Sequence, residues 1–96
     1  MSNNLHISYD LKNPDRDYEK VIAAVKTLGS WAKIQYSFWF VKSEFTAEQA
    51  RDYLLRYIDA NDSIYIADST NNIAAWKNLT AEATNFIQGH WQPRAA

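Results

Sequence analysis

The sequence of 96 residues contains no cysteine. Disulfides, thiolate metal sites and cysteine nucleophiles are therefore excluded. Glycine and proline occur only twice each, too few for a collagen-like or low-complexity chain. No apolar run approaches the length of a bilayer span, and Met1-Ser2-Asn3-Asn4 carries neither a basic nor an apolar leader pattern. The expectation is a cytoplasmic protein without a membrane partner. Neither sign of charge dominates: ten Lys plus Arg against eleven Asp plus Glu leave a net charge of −1. That balance lacks the electrostatic footprint of a strong non-specific nucleic-acid binder. Gly-rich phosphate loops, nucleophile elbows and His- or Cys-based metal spacings are missing as well.

Aromatic side chains, by contrast, make up 15% of the chain, with four Trp, six Tyr and four Phe. The length suits one domain, residues 1–96, with one small core. The rings must fill that core or lie on a surface that meets something.

Local patterns predict the elements. Leu5-His6-Ile7-Ser8-Tyr9-Asp10 alternates as a strand, with Leu5, Ile7 and Tyr9 on one side. Asn13 as N-cap, Pro14 at the first helical position and Asp15 and Asp17 at the positive end predict a helix running to Leu28. Its stripe is Tyr18, Val21, Ile22, Val25 and Leu28, and Gly29 suits a left-handed stop. Trp31 to Tyr36 and Phe38 to Val41 read as two further strands, the second apolar on both sides. No turn dipeptide separates them, so a bulge or irregular turn is expected near Gln35–Ser37.

Thr46 and Gln49 form a capping box for a second helix whose stripe is Ala50, Tyr53, Leu54, Tyr57 and Ile58, ended by Asn61. Ser63 to Ala67 is the fourth strand, and Ser69 to Asn72 is a turn. Ile73 to Trp76 fits either a helical turn or a last edge strand. Thr80 caps a closing helix with Ala83, Phe86 and Ile87 inward and Gly89 as its stop.

The order predicts an α+β chain: a ferredoxin-like βαββαβ sandwich with a C-terminal helical appendix, and both main helices on one face of the sheet. The other face then needs a cover. Alternation gives it His6, Ser8 and Asp10, with Trp39 and Val41 or their alternates and with Tyr65. Either the C-terminal helix folds over it through Trp76, Phe86 and Trp91, or a second copy does so in a face-to-face homodimer. Trp39, Tyr65 and Trp76 are the expected interface rings.

Asp10 is the first candidate for chemistry. One carboxylate holds magnesium poorly, but a twofold axis would double it, and the pair would share a divalent ion that positions water for phosphodiester hydrolysis. The competing reading makes Asp10 a cap for the loop at Lys12 and Asn13. His6 reads as a structural strand residue, and His90 lies in a tail. Asp59, Asp62 and Asp68 read as a solvated loop, without the dense ligand spacing of a calcium site.

Tyr9-Asp10-Leu11, the capped helix and Lys33-Ile34-Gln35-Tyr36-Ser37-Phe38 resemble the small CRISPR adaptation-subunit family, the second of the Cas proteins. The chain is still more similar to the small SinR-like proteins of the same broader superfamily. That resemblance rests on Trp31, Ser37-Phe38-Trp39-Phe40-Val41, Thr46-Ala47-Glu48-Gln49 and Asn61-Asp62, and spans roughly Leu5 to Ala67. It implies a ferredoxin-like homodimer. Through the adaptation subunits and the related virulence-associated toxins, it also implies a metal-dependent nuclease acting on RNA or DNA. Asp10 would then be the catalytic residue and ligand of Mg2+, with Lys33, Gln35 and Ser37 lining the neighbouring sheet face or contacting phosphate. The chain departs from the family where Trp39-Phe40 replaces an acidic residue.

Three functions follow as expectations: the dimeric nuclease, a non-catalytic dimeric interaction or regulatory module, and single-stranded RNA binding on open-sheet aromatics. The last lacks its signature, since Ser37 to Lys42 has neither the glycine nor the basic start.

Overall fold

The computed structural model describes residues 2–11 and 18–91. The alternating first segment forms β1 (Asn3–Asp10), with Leu5, Ile7 and Tyr9 buried. A helix, α1 (Tyr18–Lys26), leads to β2 (Gly29–Gln35) and β3 (Phe38–Ser43). The predicted start signals Asn13, Pro14, Asp15 and Asp17, and the Tyr18 side chain, lie outside the described residues. Val21, Ala24, Val25 and Leu28 are buried, so the helical stripe is where the spacing put it.

Gly29 does not stop α1 in a left-handed conformation, since no described glycine has a positive φ. The helix instead tightens through Thr27 N–H to Ala24 O and Leu28 N–H to Val25 O, three-residue bonds that use its last free carbonyls. Gly29 opens β2, where a Cβ would run into the carbonyl oxygen of Lys42 on β3. Close backbone approach is what this position requires. Beside it, the buried Ser43 hydroxyl donates to Leu28 O at 2.7 Å and accepts from Phe45 N–H at 3.0 Å, tying the end of β3 to the end of α1.

The expected irregularity between the second and third strands is present. The register shifts between Lys33 and Gln35, and Tyr36 and Ser37 make the turn. The capping box is also as predicted: Thr46 Oγ1 accepts from Gln49 N–H, and Gln49 Oε1 accepts from Thr46 N–H, both at 3.0 Å. It starts α2 (Ala47–Leu54), which ends in a 3-10 turn at Leu55–Tyr57, ahead of Asn61. Ala47, Ala50 and Leu54 are buried, and Tyr53, Tyr57 and Ile58 pack on the core from its margin.

Next come β4 (Ser63–Asp68) and β5 (Ile73–Lys77), so Ile73 to Trp76 is a strand and not a helical turn. Asp62 and Asp68 are not solvated as the sequence suggested; both are buried. Asp68 closes the β4–β5 turn by accepting from Thr70 N–H (3.0 Å), Asn71 N–H (3.2 Å) and the Asn71 amide (2.7 Å). Asp62 accepts from Asp59 N–H at 2.7 Å, and the Asn78 amide donates to Ala60 O and Asp62 O. A carboxylate that accepts backbone N–H bonds meets the hydrogen-bonding demand of a turn, which is why these short acids go inside. Thr80 caps α3 (Ala81–His90), which runs through Gly89.

The strands form one antiparallel sheet in the order β2-β3-β1-β4-β5, with β1 at its centre. Leu5, Ile7, Trp39, Val41, Ile64 and Ile66 meet α1 and α2 in one buried cluster. The described residues form an α+β fold, with five strands and three α-helices. Among the described residues, no helix is long and apolar enough to cross a membrane.

Candidate functional site

The sheet face turned away from α1 and α2 carries ordered rows of side chains. Register sets Phe38 of β3, Ser8 of β1, Tyr65 of β4 and Trp76 of β5 side by side. The next row is Ala32, Phe40, His6, Ala67 and Ala74. The His6 ring stacks on Phe38 at 6.4 Å and 20°, and tilts against Phe40 at 5.4 Å. Its Nε2 stands 3.0 Å from Ser69 Oγ. Tyr65 stacks on Trp76 at 6.4 Å and 25°. All five rings are half-buried, and among the described residues no layer is packed over them. Burial among them pushes the Tyr65 phenol above its ordinary value.

One expected interface ring is elsewhere. Trp39 is 2% exposed, on the helix side, where its indole N–H donates to the Tyr9 hydroxyl at 3.1 Å. Val41 is buried with it, so the alternates Phe38 and Phe40 hold the open face. The reason is parity. Residues 38, 40 and 42 share a side, and Lys42 is exposed, while 39, 41 and 43 end in buried Ser43. Lys42 was the signal in the sequence that separates the two choices. Tyr65 and Trp76 are on the open face as expected.

The C-terminal helix borders this face and does not close it. Ile87 and Trp91 line a cleft of about 190 Å³ against Ala74 and Trp76 of β5. The Trp91 indole N–H donates to Asn72 O at 2.9 Å. No α3 residue is buried, and Phe86 is 64% exposed, stacked on His90. The predicted inward role of Phe86 is therefore not what the fold uses.

Asp10 ends β1 opposite Ser63, exposed, on the same side as His6 and Ser8. It lines a shallow cleft of about 230 Å³ with Ser8, Ser63 and Tyr65 among its neighbours. Lys12 and Asn13, the backbone it was expected to cap, lie outside the described residues. Among the described residues, no three His, Asp or Glu side chains stand together as a metal site. Asp10 thus offers one carboxylate per chain, beside hydroxyls; a magnesium ion takes one or two carboxylates and keeps several waters.

The three residues expected to surround substrate are not brought together on one face. Lys33 is on the helix side, opposite Trp39. The register shift pairs Gln35 with Phe38 instead, giving it the other parity. Ser37 sits in the turn, its carbonyl accepting from Tyr9 N–H at 3.2 Å, and is the one nearest Asp10 in the chain's layout. Comparisons with family models, curated proteins and solved structures gave no match.

Proposed function

We propose that this chain is a homodimeric interaction module of ferredoxin-like build, assembled through its aromatic sheet face. The order β2-β3-β1-β4, with α1 between the first two strands and α2 between the next pair, supports that build; β5 then extends the sheet beyond β4. The observation that carries the assembly is the pair of registered rows, whose five rings stay half-buried among the described residues, with α3 only bordering Trp76. Five strands about 4.8 Å apart present a footprint of several hundred Å². With side-chain relief this approaches the roughly 800 Å² per partner of a stable complex.

A second copy fits this face better than a nucleic acid does. Among the described strand residues the face carries one cation, Lys42, and one anion, Asp10, at opposite ends of the strands. A twofold axis running across the strands sets each Asp10 beside the partner's Lys42 end. An axis along the strands would bring like charges together at both ends, which is unfavourable. Sedimentation equilibrium tests the pairing. Wild type is expected as a dimer, and Phe40→Glu, which buries an unpaired charge in the row, as a folded monomer; a wild-type monomer at high micromolar concentration contradicts the reading.

The second reading is the nuclease with Asp10 as the metal ligand, favoured by the exposed position of Asp10 on the face that would close. Two carboxylates share an ion only if the axis runs along β1. With the axis across the strands, the two Asp10 residues stand roughly 20 Å apart along the strand direction. Cleavage of labelled RNA and DNA with magnesium or manganese, lost in Asp10→Ala, would support this reading; activity unchanged by the substitution would remove Asp10 from it.

A further inference from the structure

We propose that the outer edge of β2 binds an extended acidic peptide by strand addition, with Lys26 and Lys33 meeting its carboxylates. β2 is an end strand, and all seven of its residues are exposed. Its outer side presents alternate backbone N–H and C=O groups, the template on which an extended segment pairs. Large side chains crowd this short strand and its turn: Trp31 is 46%, Ile34 54% and Tyr36 71% exposed.

Two ammonium groups flank those rings. Lys26 Nζ lies 4.6 Å from the Trp31 ring centroid, and Lys33 Nζ lies 5.1 Å from that of Tyr36. Neither lysine has a carboxylate partner among the described residues. Trp31 and Lys33 stand two residues apart, on the same side of the strand, opposite Val41 and Trp39. An added strand would send alternate side chains to that side: an apolar group against Trp31, then an Asp or Glu toward the lysines. The register shift after Lys33 ends the regular ladder, so the pairing stretch is residues 29–33. The partner is therefore a short extended segment in which an apolar residue is followed or preceded two positions away by an acidic one, so that both fall on the same side.

A single-stranded nucleic acid would meet the same rings and cations. Two lysines make only a short basic track, however, and the open strand edge would go unused. Peptide addition uses all three features.

The test is titration of a fluorescein-labelled peptide, Ser-Glu-Thr-Val-Thr-Glu-Ser, whose Val and two Glu share one side, followed by anisotropy and by amide shifts of the protein. Saturable binding is expected, with shifts centred on residues 29–33. The double variant Lys26→Glu/Lys33→Glu, both exposed positions, should bind about tenfold more weakly or worse while still unfolding in one cooperative transition, at a lower midpoint for the lost ring contacts. N-methylation of alternate peptide amides, which removes donors and leaves charge intact, should abolish binding. Binding indifferent to N-methylation, binding of oligothymidylate in place of the peptide, or no binding at millimolar peptide would each overturn the proposal.

Discussion

Asp68 shows how much one side chain decides at the residue scale. It is buried, and its two oxygens accept three hydrogen bonds from the turn that joins β4 to β5. Asp68→Ala leaves those donors without their acceptor and should cost about 2–4 kcal/mol, read from urea unfolding midpoints. Asp68→Asn keeps one acceptor oxygen and should cost about half as much. Tyr65 provides a pH-dependent counterpart. Burial holds its phenol above the ordinary value, so the unfolded chain ionises first as pH rises. The stability it contributes is fully present below about pH 10 and is lost as pH climbs through the folded value. Unfolding midpoints between pH 8 and 11 should fall more steeply in wild type than in Tyr65→Phe.

Residues of this kind mark the limit of what the sequence displays. The buried character of Leu5, Ile7, Val21 and Val25 was legible because it follows a period that local sequence carries. That of Asp62 and Asp68 was not, because it depends on which backbone amides the turns bring to them. Trp39 and Phe40 were ambiguous for another reason: the run from Phe38 to Val41 is apolar on both sides, and only Lys42 beyond it gives the parity away. Position 40 falls on the open face and position 39 in the core, and a one-residue shift would exchange them.

At the scale of elements, the helix with a local signature was the easiest to place. The Thr46–Gln49 box lies wholly within four residues, and it starts α2 where the sequence said. Thr46→Ala should cost about 1 kcal/mol, with Gln49→Ala losing less, both measurable by chemical denaturation. Gly29 misled because two different needs select glycine: a left-handed helix stop, and the close strand approach that operates here. α3 is the weakest element. It buries none of its residues and is held at its end by Trp91 against Asn72. Its amides should exchange well before those of β1, and Trp91→Ala should speed that exchange without moving the global unfolding midpoint. Uniform protection of α3 and β1 would contradict this ranking.

At the scale of the whole molecule, the aromatic richness divides between two sides of one sheet. Trp39 and Tyr9 join the core under α1 and α2, while Phe38, Phe40, Tyr65 and Trp76 line the opposite face, half-buried. In the proposed dimer, which site the molecule offers turns on the direction of the twofold axis. Across the strands, the axis separates the carboxylates of Asp10 and joins each to a lysine; along them, it pairs the carboxylates. The absence of cysteine makes the distinction measurable, since one introduced thiol is unique. Asn61 is exposed and lies at the Asp10 end of the sheet, just before β4. A nitroxide on Asn61→Cys, read by double electron–electron resonance, should give one interspin distance of about 30 Å or more. A distance under about 20 Å would place the axis along the strands and favour the paired carboxylates, and the lack of any dipolar signal would contradict the dimer itself.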